Sequence, residues 1–154
     1  MPFFEDLSFG HKYENLFLKS MKYKKCIRPS GVFKYYDVCL TDEKGKSTKY
    51  EIKADRIAHI TNMLTFELKY KNQYSGIIST RAKYIIYYVV NAFGYTKYKL
   101  PVNTVRKLIC SGIPHTIKNI GDNGFVKAIQ IDDSHFQEFI EENYSDSQML
   151  EGLF

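Results

Sequence analysis

The stretch Lys34-Tyr35-Tyr36-Asp37-Val38-Cys39-Leu40, followed after a short polar connection by Ser47-Thr48-Lys49-Tyr50-Glu51-Ile52-Lys53-Ala54-Asp55, sets two acids and a lysine where one β-hairpin brings them together. In the first run Tyr36, Val38 and Leu40 share one face and Tyr35, Asp37 and Cys39 the other, which is the period of a half-buried strand. In the second run Tyr50 and Ile52 form the apolar side, and Lys49, Glu51 and Lys53 the opposite one. Between them Asp42-Glu43-Lys44-Gly45-Lys46 is a polar turn, with Gly45 placed for the left-handed position of a three-residue hairpin loop. With Glu43, Lys44 and Gly45 as the loop, Asp42 faces Lys46 and Asp37 lies directly opposite Glu51, their Cβ atoms about 5 Å apart on one side of the sheet. A two-residue turn at Lys44-Gly45 would pair Asp37 with Ile52 and send the two acids to different faces. The three-residue register also gathers Tyr36, Val38, Leu40, Tyr50 and Ile52 on one buriable face, so the apolar pattern and the acid pair agree.

Two carboxylates that close repel unless a cation stands between them, and hard oxygen ligands suit Mg²⁺, with Mn²⁺ as a substitute, rather than zinc. A cation there polarises a phosphate oxygen and acidifies a water, while Lys53 on the same face orients that water or offsets developing charge. The plainer alternative is a solvated hairpin, since Glu-X-Lys is common on exposed strands, where its charge pairs have little consequence.

The segments that follow add weight. Glu51-Ile52-Lys53-Ala54-Asp55-Arg56, then Thr61-Asn62-Met63-Leu64-Thr65-Phe66-Glu67, then Ser75-Gly76-Ile77-Ile78-Ser79-Thr80-Arg81-Ala82-Lys83-Tyr84, resemble the core of the PD-(D/E)XK nucleases. The likeness is greatest to the small phage and viral branch that includes Holliday junction resolvases, and it covers about residues 8–93. It implies an α/β fold with a restriction-endonuclease-like core, a mixed central β-sheet flanked by helices. It also implies a Mg²⁺-dependent endonuclease acting on DNA, four-way junctions included, as a symmetric homodimer inside a cell that a phage or virus has entered. Asp37 matches the first acid of the motif, and Glu51 and Lys53 its Glu-X-Lys. Glu14 matches an acid carried on the first helix, and Glu67 an acid of the following strand in an assisting role. By the same resemblance the metal is held by Asp37, Glu51, the carbonyl of Ile52 and Glu14. Tyr36 stands where the motif has proline, and Ile60-Thr61-Asn62 where relatives have Thr-Gly-Asn.

Other readings compete at several positions. Asp55 with Glu67-Leu68-Lys69 has the same residue types, but only a short segment without a clear hairpin turn separates them. Glu14 falls in an amphipathic helix expected over residues 8–24, in which Ser8 caps and Tyr13, Leu16, Phe17 and Met21 follow helical spacing; a glutamate there also pairs readily with Lys19 or Lys22. Thr80 is expected to cap a helix over residues 80–93, with Ala82, Ile85, Ile86, Val89, Val90 and Phe93 as its apolar stripe. Further on, a strand is expected over 95–100, a helix over 104–110, a loop over 115–123, a strand over 125–131 and a helix over 136–144. Asp132-Asp133 reads as a helix cap rather than a metal pair.

The chain of 154 residues is expected to form one domain, with the nuclease-like core over about 8–93 and accessory elements over 94–154. Its 44% hydrophobic content contains no long uninterrupted apolar run, which argues against a membrane span. The N-terminal residues lack the basic start and apolar run of a secretory signal. Cys26, Cys39 and Cys110 are scattered, without metal or disulfide spacing, and fit a reducing, intracellular setting. His11, His59, His115 and His135 lack metal spacing as well. The net charge of +5 is modest, but lysines and arginines interleave with tyrosines. Lys34, Lys69, Lys71, Arg81 and Lys83 are the candidates for DNA contact, since phosphates attract the cations and tyrosine stacks on unpaired bases. A nuclease acting on linear duplex or single strands, a non-catalytic DNA-binding module and a protein-interaction module remain alternatives.

Overall fold

The turn at Gly45 closes a hairpin in the register its chemistry dictates. The computed structural model describes residues 2–31, 35–121 and 123–146, with side chains from Ser8 onward. Gly45 takes the left-handed conformation at φ +83°. Asp42 N–H donates to the Lys46 carbonyl at 2.9 Å, and the Asp42 carboxylate accepts from the amides of Lys44 and Lys46. The strands leaving this turn pair Val38 with Tyr50, Cys39 with Lys49, Leu40 with Thr48 and Thr41 with Ser47. The ladder ends at Val38. Asp37 N–H donates to the Tyr50 carbonyl at 2.9 Å, and its carboxylate accepts from Ile52 N–H at 2.7 Å.

In chain order the elements are helix α1 (Pro2–Ser20), strands β1 (Lys25–Ile27), β2 (Val38–Thr41) and β3 (Ser47–Asp55), the single turn α2 (Ala58–Thr61), strands β4 (Met63–Tyr70), β5 (Gln73–Tyr74), β6 (Tyr84–Asn91) and β7 (Gly94–Pro101), helix α3 (Val102–Cys110), strands β8 (Thr116–Ile120) and β9 (Val126–Asp132), a 3-10 helix (Asp133–Phe139) and strand β10 (Ile140–Ser145). They build an α/β arrangement with two sheets. A mixed six-stranded sheet runs β1-β2-β3-β6-β7-β10, in which β3 and β6 are parallel, and an antiparallel four-stranded sheet runs β5-β4-β9-β8. No described helix is long and apolar enough to cross a membrane. The cysteines are unbridged.

Residues 84–91 are a strand, not the helix expected over 80–93. Ile85 and Tyr87 pack into one cluster, with Leu64, Phe66, Leu100 and Ile129, while Ile86, Tyr88 and Val90 pack into another, with Tyr13, Phe17, Val38 and Tyr50. A strand buried on both faces reads as a continuous apolar run, from which helical spacing can also be picked out. The β-branched and aromatic content of Ile85-Ile86-Tyr87-Tyr88-Val89-Val90 is what decides for the strand.

Three further expectations are corrected. The helix expected over 8–24 with Ser8 as its cap runs Pro2–Ser20, so Ser8 lies within it and residues 21–24 outside it. Residues 116–120 form β8 instead of a loop, pairing with β9. Residues 136–144 are not one helix: the 3-10 helix ends at Phe139 and β10 continues as an edge strand on β7. At that edge a Cβ on Gly94 would lie 2.0 Å from the Tyr144 carbonyl oxygen, so only glycine lets the two backbones approach. Asp132 caps as expected, accepting from Ser134 N–H at 2.9 Å, and that bond holds its carboxyl below the usual range.

The alternation along β3 sets up everything that follows. Tyr50, Ile52 and Ala54 face the cluster under α1, where Tyr13 and Phe17 are buried. Glu51, Lys53 and Asp55 therefore face the second sheet, and β4 lies across from them.

Candidate active site

Glu51, Lys53 and Asp55 form a polar strip on an otherwise apolar face, and each is held differently. Lys53 is half-buried, and its Nζ donates to the Thr65 carbonyl of β4 at 2.7 Å and lies 5.3 Å from the centre of the Tyr87 ring. Desolvation pushes the Lys53 ammonium below the ordinary lysine pKa, against the opposing pull of Asp55 and Glu67. Asp55 accepts from the Tyr87 hydroxyl and from the amides of Ile57 and Ala58, which ties it to the turn of α2. Glu51 Oε1 accepts from the Thr80 hydroxyl at 3.1 Å.

Glu67 comes from the facing strand. Between Glu67 and Lys69 the β4–β9 register shifts: Glu67 pairs with Ala128 and Lys69 with Lys127, so Leu68 is an extra residue. Ala128 is buried and Lys127 exposed on opposite sides of β9, so the bulge also turns Glu67 and Lys69 to opposite sides of β4. The competing assignment of Glu67-Leu68-Lys69 to the motif thereby loses the shared face on which a Glu-X-Lys pair depends.

Glu51 and Glu67 border two adjoining cavities. The smaller, about 280 Å³, also touches Ile52, Lys53 and Phe66; the larger, about 500 Å³, opens toward Tyr35, Tyr70 and Tyr74. Gly76 closes the wall beside Glu67. It sits at φ +53°, and a Cβ there would lie 2.3 Å from the Glu67 carbonyl oxygen, which accepts from Ile77 N–H at 2.9 Å. From α3, Arg106 reaches this same loop, Nε donating to the Ile77 carbonyl at 2.9 Å and Nη2 to the Thr80 carbonyl at 2.7 Å.

Arg106 and Thr80 are site residues that sequence reading misses. Arg106 bonds to backbone carbonyls, which leave no trace in side-chain pattern, and Thr80 reads as a helix cap. Arg106→Met keeps most of the apolar stem and removes the charged hydrogen bonds, worth about 1.5–3 kcal/mol each at most. The expected result is that amides of residues 77–80 exchange hydrogen about 10- to 100-fold faster in the variant. Unchanged exchange at those amides would remove the clamp from the account.

The remaining candidates lie around this centre. Arg81 stacks on Tyr35 at 4.2 Å, Lys69 lies 5.0 Å from Tyr74, Lys71 5.5 Å from Tyr70, and Lys83 5.4 Å from Tyr84. Lys34 lies outside the described residues. Glu14 is on α1, 3.9 Å from Arg28. Neither Glu14 nor Asp37 lines the two cavities.

Among the described residues, no three His, Cys, Asp or Glu side chains gather closely enough to hold a metal ion between them. The donors that share the cavities are two carboxylates, Glu51 and Glu67. Mg²⁺ is commonly held by one or two carboxylates with waters and substrate phosphates in its other positions, so the donor chemistry fits that ion. Compared with protein-family models, curated proteins and solved structures, the chain has no match in any of the three.

Proposed function

We propose that the chain is a Mg²⁺-dependent endodeoxyribonuclease of the PD-(D/E)XK kind that hydrolyses phosphodiester bonds in branched DNA. The observation that carries the reading is that Glu51 and Lys53 of β3 border one cavity with Glu67 of β4. Asp37 supports it from β2. Its carboxylate accepts from Ile52 N–H, and in an extended strand a residue's N–H and C=O leave on the same edge, so the Ile52 carbonyl is directed toward Asp37. Asp37, Glu51 and that carbonyl are the proposed Mg²⁺ ligands, with Glu67 assisting; Glu14, on α1 at the opposite face of β3, pairs with Arg28 and takes no part.

Mg²⁺, when bound, supplies charge neutralisation at the phosphate and a more acidic water. The protein's part is positional. The Thr80 hydroxyl stands 3.1 Å from one oxygen of Glu51 and 3.1 Å from the Tyr35 carbonyl, and its one proton is shared between them. Lys53 uses one of its three N–H bonds on Thr65, which leaves the others to orient the attacking water and to offset the charge that develops on the phosphorus oxygens. In a partly desolvated site such a cation acts more strongly than it does in water.

The test is cleavage of a four-way junction and of a linear duplex of the same sequence, each with Mg²⁺ and with excess chelator. Cutting of the junction that needs the metal and exceeds cutting of the duplex is the expected result. A folded protein that cuts neither DNA with Mg²⁺ or Mn²⁺ would overturn the proposal, and equal cutting of both would move it to a nuclease of linear DNA.

A further inference from the structure

The larger cavity beside Glu51 and Glu67 is walled by aromatic rings that the cleavage chemistry leaves unused. Tyr74 is 69% exposed on the edge strand β5, Tyr35 47% and Tyr70 41%, and all three border this cavity of about 500 Å³. A cation stands against each ring: Arg81 on Tyr35, Lys69 on Tyr74 and Lys71 on Tyr70. Rings flanked by cations are the platform on which proteins hold single strands, the bases on the rings and the phosphates on the cations. The cavity is also within the size range of pockets that enclose a small organic group.

Its polar lining points to the same occupant. Ser75 borders the cavity, with its Oγ out of solvent reach. Gln73, also on the lining, carries an amide that both donates and accepts, as the edge of a nucleobase does. Paired duplex DNA keeps its ring faces stacked and its pairing edges satisfied, whereas an unpaired nucleotide presents both.

We infer that this cavity holds an unpaired nucleobase, stacked on Tyr74 with its edge toward Gln73, and that the adjoining phosphate lies at Glu51 and Glu67. The position of the cut rests on the nuclease reading; the binding of the base does not. The inference narrows the substrate to DNA with single-stranded nucleotides at the site, such as a flap, a bubble or the crossover of a junction.

Equilibrium binding reads the pocket separately from the chemistry. A single strand carrying one 2-aminopurine, and the same strand annealed to its complement, are titrated with the wild-type protein and with Tyr74→Ala and Tyr74→Phe. Tyr74 is exposed, so both variants are expected to fold. The fluorescence of the single strand is expected to be quenched on binding. Its Kd is expected to weaken about 5- to 100-fold in Tyr74→Ala and to stay unchanged in Tyr74→Phe, which keeps the ring. Duplex affinity is expected to be the same in all three proteins. Losses equal for single strand and duplex, or no loss at all, overturn the pocket. If quenching depends on Tyr74 in a protein that cuts no DNA, the pocket stands and the nuclease reading falls. If the wild type cuts but Tyr74→Ala cuts unpaired substrates at the full rate at limiting DNA, the nuclease reading stands and the pocket falls.

Discussion

Lys53→Met is expected to lower DNA cleavage by about 10²- to 10³-fold, the range seen when one preorganised donor to a transition state is removed, while leaving the protein close to the parent in stability at neutral pH. The two halves of this expectation come from the same geometry. The ammonium is desolvated between two sheets, and its lowered pKa means that the surroundings disfavour the charge despite the Thr65 carbonyl, Asp55 and Glu67. Methionine keeps the apolar stem and removes the charge, and replacing buried charge by an apolar group of similar volume is often neutral or stabilising. The loss of the charged bond to the buried Thr65 carbonyl offsets that gain, by about 1.5–3 kcal/mol.

The pH dependence follows with a definite sign. Below its folded value Lys53 is protonated in both states, and the cost of burying the charge is fully present. As pH rises through the folded value toward the ordinary lysine value of about 10.4, the unfolded chain holds more protons than the folded one, so stability contributed at this site increases. The Tm of Lys53→Met relative to the parent is therefore highest near neutral pH and falls as pH approaches about 10. Paired calorimetric scans across that range check it, because the tyrosines titrate in both proteins and cancel in the difference. A relative Tm that rises with pH would show that Lys53 is not held as described.

Gly76→Ala is expected to damage both properties together. A Cβ at this position would lie 2.3 Å from the Glu67 carbonyl oxygen and 2.6 Å from the Glu67 Cβ, on a backbone already at φ +53°. The left-handed conformation alone costs a non-glycine residue about 1–2 kcal/mol, and the loop must also move off Glu67. For a domain of this size a loss of about 2 kcal/mol lowers Tm by about 4–8 °C. Cleavage well below Tm should fall too, because the displaced loop carries Ser75 and Thr80, and Thr80 shares its hydroxyl proton with Glu51. A variant with the parent's Tm and cleavage rate would contradict the packing of this loop.

What the sequence reveals and what it conceals divide along the range of the interactions. The hairpin register from Thr41–Ser47 to Val38–Tyr50 is legible because Asp42 and Gly45 specify their turn locally. The expected pairing of Asp37 with Glu51 does not form, since Asp37 N–H turns to the Tyr50 carbonyl and Tyr36 packs in the other cluster; the common face of Glu51 and Lys53 comes from the alternation of β3 alone. The apolar run at residues 85–90 is not legible, because burial on both faces erases the alternation that marks a strand. Strands β8 and β10 are half polar and owe their state to partners elsewhere, β9 and β7, that no local window contains. The bulge at Leu68 likewise exists only against β9, yet it is what separates Glu67 from Lys69. Arg106 holds carbonyls 26 to 29 residues away in sequence. Glu14 and Asp37 were legible as candidates, but their side chains engage Arg28 and the Ile52 amide and border neither cavity.

The measurement that bears most directly on the central claim is single-turnover cleavage of a four-way junction in Mg²⁺, at saturating protein, by Glu51→Gln and Asp37→Asn beside Lys69→Ala. The expected result is a loss of about 10²-fold or more in the first two, with Lys69→Ala, which weakens DNA binding only, retaining its rate. Full activity in Glu51→Gln or Asp37→Asn, with the loss falling on Lys69→Ala instead, would contradict the site.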